Sequence, residues 1–279
     1  MFAALNRFAT PFKLSCQRRL ASSISNHWMP AFAGMTLLLF ATSAFALPSV
    51  NVMADGDLGV AMARIARNYS TERQVAVNAS FTAQAAQAVQ ISEGGAADIL
   101  ITPKLSWIEQ LKTQGLVDIH SQATIAGNRL ALVGPDDSAI RPAGNVFPTA
   151  ALINALAGEL AFVVGNPETL GVGVSGKEAL RNLGVAGDLE PYTLYLKQAD
   201  QMDDMVAKQH AYGIFYTSAA TGKEGMRVIG LLPPESYHPV EYYAVVIAGE
   251  NMNEARRFLE YLKSPAAKGV LRGDGFVVD

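Results

Sequence analysis

The chain is almost free of cysteine and poor in histidine. Its sole cysteine, Cys16, lies near the amino terminus, and its four histidines are scattered over 279 residues. The residues after Cys16 therefore form no disulfide bond and offer no thiolate to a metal. The histidines show none of the spacings that a zinc site needs. The catalytic motifs G-x-S-x-G and H-E-x-x-H are also missing.

The first 46 residues contain no aspartate or glutamate. They carry four basic residues, Arg7, Lys13, Arg18 and Arg19. A short apolar stretch, Met35–Ala46, follows and ends in Ala-Phe-Ala, which is typical of a secretory signal peptide. The stretch is shorter than the roughly 20 residues that span a bilayer. The sequence predicts cleavage after Ala46 and export to the periplasm; a start at Met29 or Met35 and a retained anchor are the alternatives.

The chain without this leader is acidic. The leader holds four of the 22 basic residues and none of the 25 acidic ones, which leaves 18 − 25 = −7 from Leu47 onward. This balance disfavours nucleic acid and anionic membrane surfaces as partners. An anionic ligand must therefore be bound by local donors rather than by a general positive field. About 230 residues are enough for one large core or for two lobes.

Strand and helix patterns alternate after the leader. Short apolar strands are predicted at Val50–Ala54, Val75–Phe81 and Asp98–Thr102, and each precedes a helix. Asp57 is interpreted as the N-cap of the first helix. The second helix is predicted over Gln84–Ser92. Three strand–helix units in succession favour a parallel sheet with right-handed crossovers.

The rest of the chain predicts a second set of strands and helices. Strands are expected at Arg129–Val133, Leu160–Val164, Tyr212–Tyr216, Arg227–Gly230 and Val240–Ile247. No linker rich in proline or glycine marks a single domain boundary. We therefore expect a second α/β lobe, residues 127–237, inserted into a first lobe formed by residues 47–126 and 238–279.

One glycine-rich segment, Gly171–Glu178, nearly matches the phosphate-binding pattern G-x-x-x-x-G-K-[ST]. Glu178 stands where the pattern needs a hydroxyl for Mg²⁺, and the segment does not directly follow the strand that ends at Val164. We interpret the segment as a flexible turn before a helix predicted over Lys177–Leu183. Its N–H groups would still be available to a ligand.

Several segments resemble a known family in the same order along the chain. They are Gly94–Thr102, Gly127–Val133, Val164–Glu168, Gly176–Leu180, Gly213–Tyr216, Val240–Tyr243 and Phe258–Pro265. On these residues the chain resembles the periplasmic molybdate-binding proteins of ABC importers, over nearly all of residues 50–279. The resemblance implies an α/β fold of the type II periplasmic binding proteins, with two lobes and a ligand cleft between them.

The resemblance also implies which residues bind the ligand. In the family a tetrahedral dianion, molybdate or tungstate, is held by helix N-termini and hydroxyl groups, without a cofactor. The matching positions here are Asp57, Gln84, Val172 and Tyr216. The resemblance further implies a monomer without enzymatic activity that delivers its ligand to an inner-membrane ABC permease.

Asp57 stands where the family has a serine. An ionised carboxylate cannot donate a hydrogen bond, and at 4 Å it repels each unit of negative charge by about 4 kcal/mol at an effective dielectric near 20. Burial could keep the carboxyl group protonated instead. Two alternatives stay open: a scaffold retuned to a small carboxylate or a less charged oxyanion, and a periplasmic sensor or enzyme domain that uses Asp55 and Asp57.

Overall fold

The computed structural model describes residues 48–81, 84–141, 147–158 and 160–279, and the predicted leader lies outside these ranges. The described strands are β1 Ser49–Ala54, β2 Ala76–Phe81, β3 Ile99–Thr102, β4 Ala123–Asn128, β5 Leu130–Pro135, β6 Phe162–Gly165, β7 Thr193–Leu196, β8 Tyr212–Tyr216, β9 Met226–Leu231 and β10 Val240–Val246. The described helices are α1 Gly59–Arg73, α2 Gln84–Ser92, α3 Leu105–Thr113, α4 Thr149–Leu156, α5 Gly171–Asn182, α6 Ala186–Leu189, α7 Ala199–Gln209, α8 Thr217–Ala220, α9 Met252–Leu262 and α10 Pro265–Gly273. None of these helices is long and apolar enough to cross a membrane.

The strands form two sheets of the same design. The first has the order β2-β1-β3-β10-β4, and the second has the order β7-β6-β8-β5-β9. In each, the first three strands pair in parallel, and the fourth runs antiparallel to both of its neighbours. The parallel pairing of β1, β2 and β3 follows from the predicted strand–helix units.

Helices cover both faces of each sheet. One face of the first sheet packs on α1, α9 and α10 through a buried cluster that includes Tyr69 and Phe258, and the other packs on α2 and α3 through Ile91 and Ile108. The second sheet likewise has a cluster on either face. Strands buried on both faces explain the continuous apolar runs seen in the sequence, since burial of such side chains stabilises the fold.

The chain crosses from one sheet to the other at a single residue. β4 ends at Asn128 in the first sheet and β5 begins at Leu130 in the second, so that only Arg129 lies between them. The chain returns between β9 and β10. Strand membership thus supports an inserted lobe, with the first crossing just after the predicted boundary at residues 126 and 127. The lobe boundaries themselves stay a prediction.

The glycine-rich segment is helical, and its interpretation as a flexible turn is wrong. α5 begins at Gly171, six residues before the predicted start. A Cβ atom on Gly173 would lie 2.1 Å from the carbonyl oxygen of Gly165, the last residue of β6. The glycine therefore permits a contact between helix and strand that a larger residue prevents. The glycines serve backbone packing rather than a phosphate-binding loop.

Candidate ligand-binding cleft

A cleft of about 580 Å³ lies where elements of both sheets meet. Its lining residues are Asp55, Gly56, Asp57, Phe81, Pro103, Lys104, Pro167, Glu168, Thr169, Leu170, Gly171, Val174, Ala199, Tyr216, Val240 and Tyr242. Most of them end or closely follow the strands β1, β2, β3, β6, β7 and β8. Ligands of open α/β sheets bind at the carboxyl ends of the strands, so this cleft is the candidate site.

The turn after β1 brings two carboxyl groups to the cleft. Asp55 is 7 % exposed, and its Oδ1 accepts a hydrogen bond of 3.0 Å from the backbone N–H of Asp57. Asp55 therefore caps the 3-10 turn Gly56–Leu58 that precedes α1. The interpretation of Asp57 as the cap of the first helix is wrong, because Asp55 caps the preceding turn and Leu58 holds the N-cap position of α1. The side chain of Asp57 instead accepts a hydrogen bond from the hydroxyl of Tyr242, at 2.9 Å.

Asp57 carries the most informative electrostatic feature of the cleft. Its side chain is exposed to the cleft, where the surrounding walls replace part of its contact with bulk water by contact with protein atoms. This burial, together with the charge of Asp55, raises the pKa of Asp57 to about 7, although the hydrogen bond from Tyr242 acts in the opposite direction. The side chains of Asp55 and Asp57 also share a hydrogen bond that raises this pKa. Asp57 is thus suited to hold a proton near neutral pH.

Tyr242 connects the cleft to the crossing between the sheets. It is fully buried on β10, next to an irregularity in the pairing of β10 with β4. Its hydroxyl also lies 3.4 Å from the Nδ2 atom of Asn128. Asn128 donates to Ser218 Oγ at 2.7 Å and accepts from the backbone N–H of Arg129 at 3.0 Å. A hydrogen-bonded path therefore runs from Asp57 to the residue that joins the two sheets.

The opposite side of the cleft is formed by Tyr216 and the N-terminus of α5. Tyr216 ends β8, and a Cβ atom on Gly171 would lie 3.5 Å from its hydroxyl oxygen. Burial raises the pKa of Tyr216, which keeps the hydroxyl neutral. Leu170, the N-cap of α5, provides no side-chain hydrogen bond. A helix N-terminus with a neutral hydroxyl beside it favours an anion.

The cleft has more acidic than basic side chains. Asp55, Asp57 and Glu168 line it, and Lys104 is the basic residue among the described lining residues. Lys104 is the N-cap of α3, so that a second helix N-terminus reaches the cleft beside it. The positive charge of the cleft therefore comes from one lysine and from the dipoles of helix N-termini, and its negative charge comes from three carboxyl groups. Such a balance favours a ligand that carries less negative charge, or one that binds with a proton.

The four residues predicted as ligands occupy different places. Asp57 and Tyr216 line the same cleft. Val172 is half-buried in the first turn of α5 and packs against Gly165, while its neighbours Gly171 and Val174 reach the cleft. Gln84 begins α2, and its side chain lies outside the described part of the chain. The assignment of these residues as ligands stays a prediction.

Sequence reasoning missed other cleft residues. The sequence suggests only a packing role for Tyr242, and its contact with Asp57 depends on a pairing of distant strands that no local pattern shows. Lys104 could have been found, since it directly follows β3 together with Pro103. Glu178 of the glycine-rich segment contacts His238 Nδ1 at 2.5 Å rather than the cleft. Within the described ranges, no group of three or more acidic, histidine or cysteine side chains could hold a metal ion.

Two like α/β sheets with a cleft at their strand ends define a two-lobe solute-binding architecture. The chain belongs to the bacterial extracellular solute-binding protein family, whose model matches residues 50–277. It is 31 % identical over 261 residues to the molybdate-binding protein ModA of Escherichia coli, a match that covers 91 % of this chain and 100 % of the relative. It is 29 % identical to the ModA protein of Haemophilus influenzae, over 86 % of this chain and 96 % of that one.

The fold is also shared with a solved structure. The periplasmic molybdate-binding protein of Azotobacter vinelandii superposes with a TM-score of 0.65 over 82 % of this chain and 99 % of its own, at 18 % sequence identity. The predicted α/β fold with two lobes is therefore confirmed.

Proposed function

We propose that this protein is the solute-binding component of an ABC importer and that it binds a small oxyanion in the cleft described above. The observation that carries the proposal is the convergence of the N-termini of α3 and α5 with the hydroxyl of Tyr216 on one cleft. Exposed N–H groups and the partial positive charge of helix N-termini favour oxyanions. The names of the ModA relatives support molybdate as the first candidate.

A second candidate ligand follows from Asp57. A carboxylate accepts hydrogen bonds where a dianion needs donors, so the cleft favours a less charged oxyanion or a small carboxylate over molybdate at neutral pH. The acidic lining formed by Asp55, Asp57 and Glu168 supports this alternative. Both candidates use the same cleft and the same transport role.

A thermal-shift screen against molybdate, tungstate, sulfate, phosphate and small carboxylates tests the proposal. A ligand present at 100 times its dissociation constant stabilises the folded protein by about 2.7 kcal/mol. We expect at least one oxyanion to raise the melting temperature, and the variant Tyr216→Phe to reduce that shift. A protein that responds to none of these compounds at any pH would contradict the proposed ligand class.

The remaining parts of the proposal concern location and activity. We propose that the protein works in the periplasm as a monomer, that it passes its ligand to an inner-membrane permease, and that it catalyses no reaction. Export predicts that N-terminal sequencing of the periplasmic protein begins at Leu47. Size-exclusion chromatography should show a single chain, and the bound ligand should be recovered chemically unchanged.

A further inference from the structure

Only one member of the acidic pair in the turn after β1 is used as a cap. Asp55 alone caps the turn, by accepting the N–H of Asp57. The side chain of Asp57 is thus not required as a helix cap, and its carboxyl group is accessible from the cleft. Its hydrogen bond with Tyr242 fixes its position at the bottom of the cleft. This geometry directs a titratable group toward the place where a ligand binds.

The groups around Asp57 determine whether its carboxyl group is protonated when a ligand enters the cleft. Asp55 faces it from the same turn, Tyr242 from β10, and Tyr216 from β8 on the other side of the cleft. Lys104 at the start of α3 and Glu168 in the turn after β6 are the other charged side chains among the described lining residues. The negative charges exceed the positive charge, so an ionised Asp57 and an oxyanion would repel each other.

We propose that this cleft binds its oxyanion together with one proton, which resides on Asp57 in the complex. The proton comes from solvent, and when the ligand binds, the protonated carboxyl group of Asp57 exchanges its hydrogen bond with Asp55 for one that it donates to the ligand. Protonation removes one negative charge and adds a hydrogen-bond donor to the lining of the cleft. The inference rests on the proposed function, because it assigns a role within the same cleft.

The pH dependence follows from this coupling. The pKa of Asp57 is raised to about 7, mainly by burial in the cleft and by Asp55. Below this value Asp57 already carries the proton, and the affinity does not change with pH. Above it each pH unit weakens binding up to tenfold, because the proton must first be taken up. The ligand is therefore bound most tightly in weakly acidic solution.

Calorimetry measures the proton directly. Titrations with molybdate and with sulfate are run in Tris and in triethanolamine at about pH 8, and in bis-tris and in imidazole at about pH 6. The two buffers of each pair differ in ionisation enthalpy, and all four contribute chloride as their only anion. We expect uptake of close to one proton per ligand at about pH 8 and almost none at about pH 6. Both anions are deprotonated in solution over this range, so the free ligand brings no proton, and the Asp57→Asn variant shows whether the proton that is taken up resides on Asp57.

Two variants separate the role of Asp57 from a general effect of charge. Asp57→Asn keeps the shape and a donor but does not titrate, so proton uptake should vanish and affinity should be the same at both pH values. Glu168→Gln removes a charge from the same cleft and should leave the proton count of the wild type intact. If Asp57→Asn fails to fold, Tyr242→Phe replaces it: loss of a hydrogen bond that lowers the pKa should move the onset of proton uptake to higher pH.

The results distinguish this inference from the proposed function. Oxyanion binding by the wild type with no proton uptake at about pH 8 would overturn the inference and leave the proposed function standing. Persistent uptake in Asp57→Asn would likewise overturn it. Absence of binding by the wild type and by Asp57→Asn at both pH values would reject the proposed function itself, and the inference with it.

Discussion

The two sides of the cleft are built on different physical principles. On the side of the first sheet, Asp55 and Asp57 lie in a short turn whose glycines, Gly56 and Gly59, have open space around them. On the side of the second sheet, α5 is pressed against β6 through Gly165 and Gly173, with no room for a side chain. The first side can change its chemistry without moving the backbone, while the second is fixed by packing. Ligand preference can therefore change on the first side with little effect on the fold.

The largest effect is expected from disturbing the packed side. Gly173→Ala places a Cβ atom 2.1 Å from the carbonyl oxygen of Gly165, so the helix must move away from the strand. We expect a loss of about 3 kcal/mol in the free energy of unfolding, measured by chemical denaturation.

A second helical glycine provides the control for this substitution. A Cβ atom on Gly269 of α10 would meet no other atom within 4 Å, so Gly269→Ala should be neutral or stabilise by up to about 1 kcal/mol. Equal stability of the Gly173 and Gly269 variants would show that the contact between α5 and β6 is not tight.

The next effect concerns Asn128, which joins the two sides because it ends β4 of the first sheet and donates a hydrogen bond to Ser218, just after β8 of the second. Asn128→Ala leaves the N–H of Arg129 and the hydroxyl of Ser218 without the bonds that the amide provides. We expect a loss of about 2 kcal/mol of stability, since the affected groups are partly or fully buried. Asn78→Ala removes one exposed hydrogen bond to Asn51 and should cost less than about 0.5 kcal/mol. If the two variants unfold alike, Asn128 does not have this joining role.

A smaller effect is expected when the carboxyl group of Asp57 is replaced by a hydroxyl group. The wild type should bind molybdate weakly at neutral pH, and Asp57→Ser should tighten binding at least tenfold, or about 1.4 kcal/mol, because it removes a negative charge and adds a donor. Calorimetry measures both constants. Asp188→Ser in α6 makes the same change in charge outside the cleft and should have no effect. Tight binding by the wild type, unimproved in Asp57→Ser, would contradict this prediction.

The smallest effect is on stability as a function of pH. The folded-state pKa of Asp57, about 7, lies above the ordinary value for an aspartate of 3.8. Its contribution to stability is therefore complete below about pH 4 and is lost as the pH rises through about 7. We expect the wild type to lose stability relative to Asp57→Asn over this interval, by less than a fully buried carboxyl group would lose, since Asp57 is exposed to water in the cleft that screens its charge. Parallel stability curves for the two proteins would show that burial does not shift this group.

Sequence patterns predicted the elements whose signal is local. Apolar strands such as β1 and β8 and the helix Gln84–Ser92 lie where periodicity placed them. β7 (Thr193–Leu196) was missed, because the strand is short and its residues are partly exposed. β4 (Ala123–Asn128) was also missed, while the strand predicted from Arg129 begins one residue before β5.

The site was harder to predict than the fold. Asp57 and Tyr216 were placed in one cleft by analogy with the family, and the structure brings both to the same lining. Which of Asp55 and Asp57 caps the turn could not be predicted, because both are aspartates and the sequence pattern suits either one. The start of α5 was misplaced for a related reason: glycines normally weaken helices, and only the contact with Gly165 explains them.

The single-residue crossing at Arg129 has a consequence for the energetics of closing the cleft. Two bodies connected by a long linker lose chain entropy when they come together, and that loss grows with linker length. Here Asn128 and Leu130 belong to different sheets, so the sheets stay close whatever their angle. A rotation between them changes only a few backbone torsion angles. Bringing the two sheets together on a ligand therefore costs little chain entropy, and the free energy of ligand binding depends almost entirely on the contacts with the ligand.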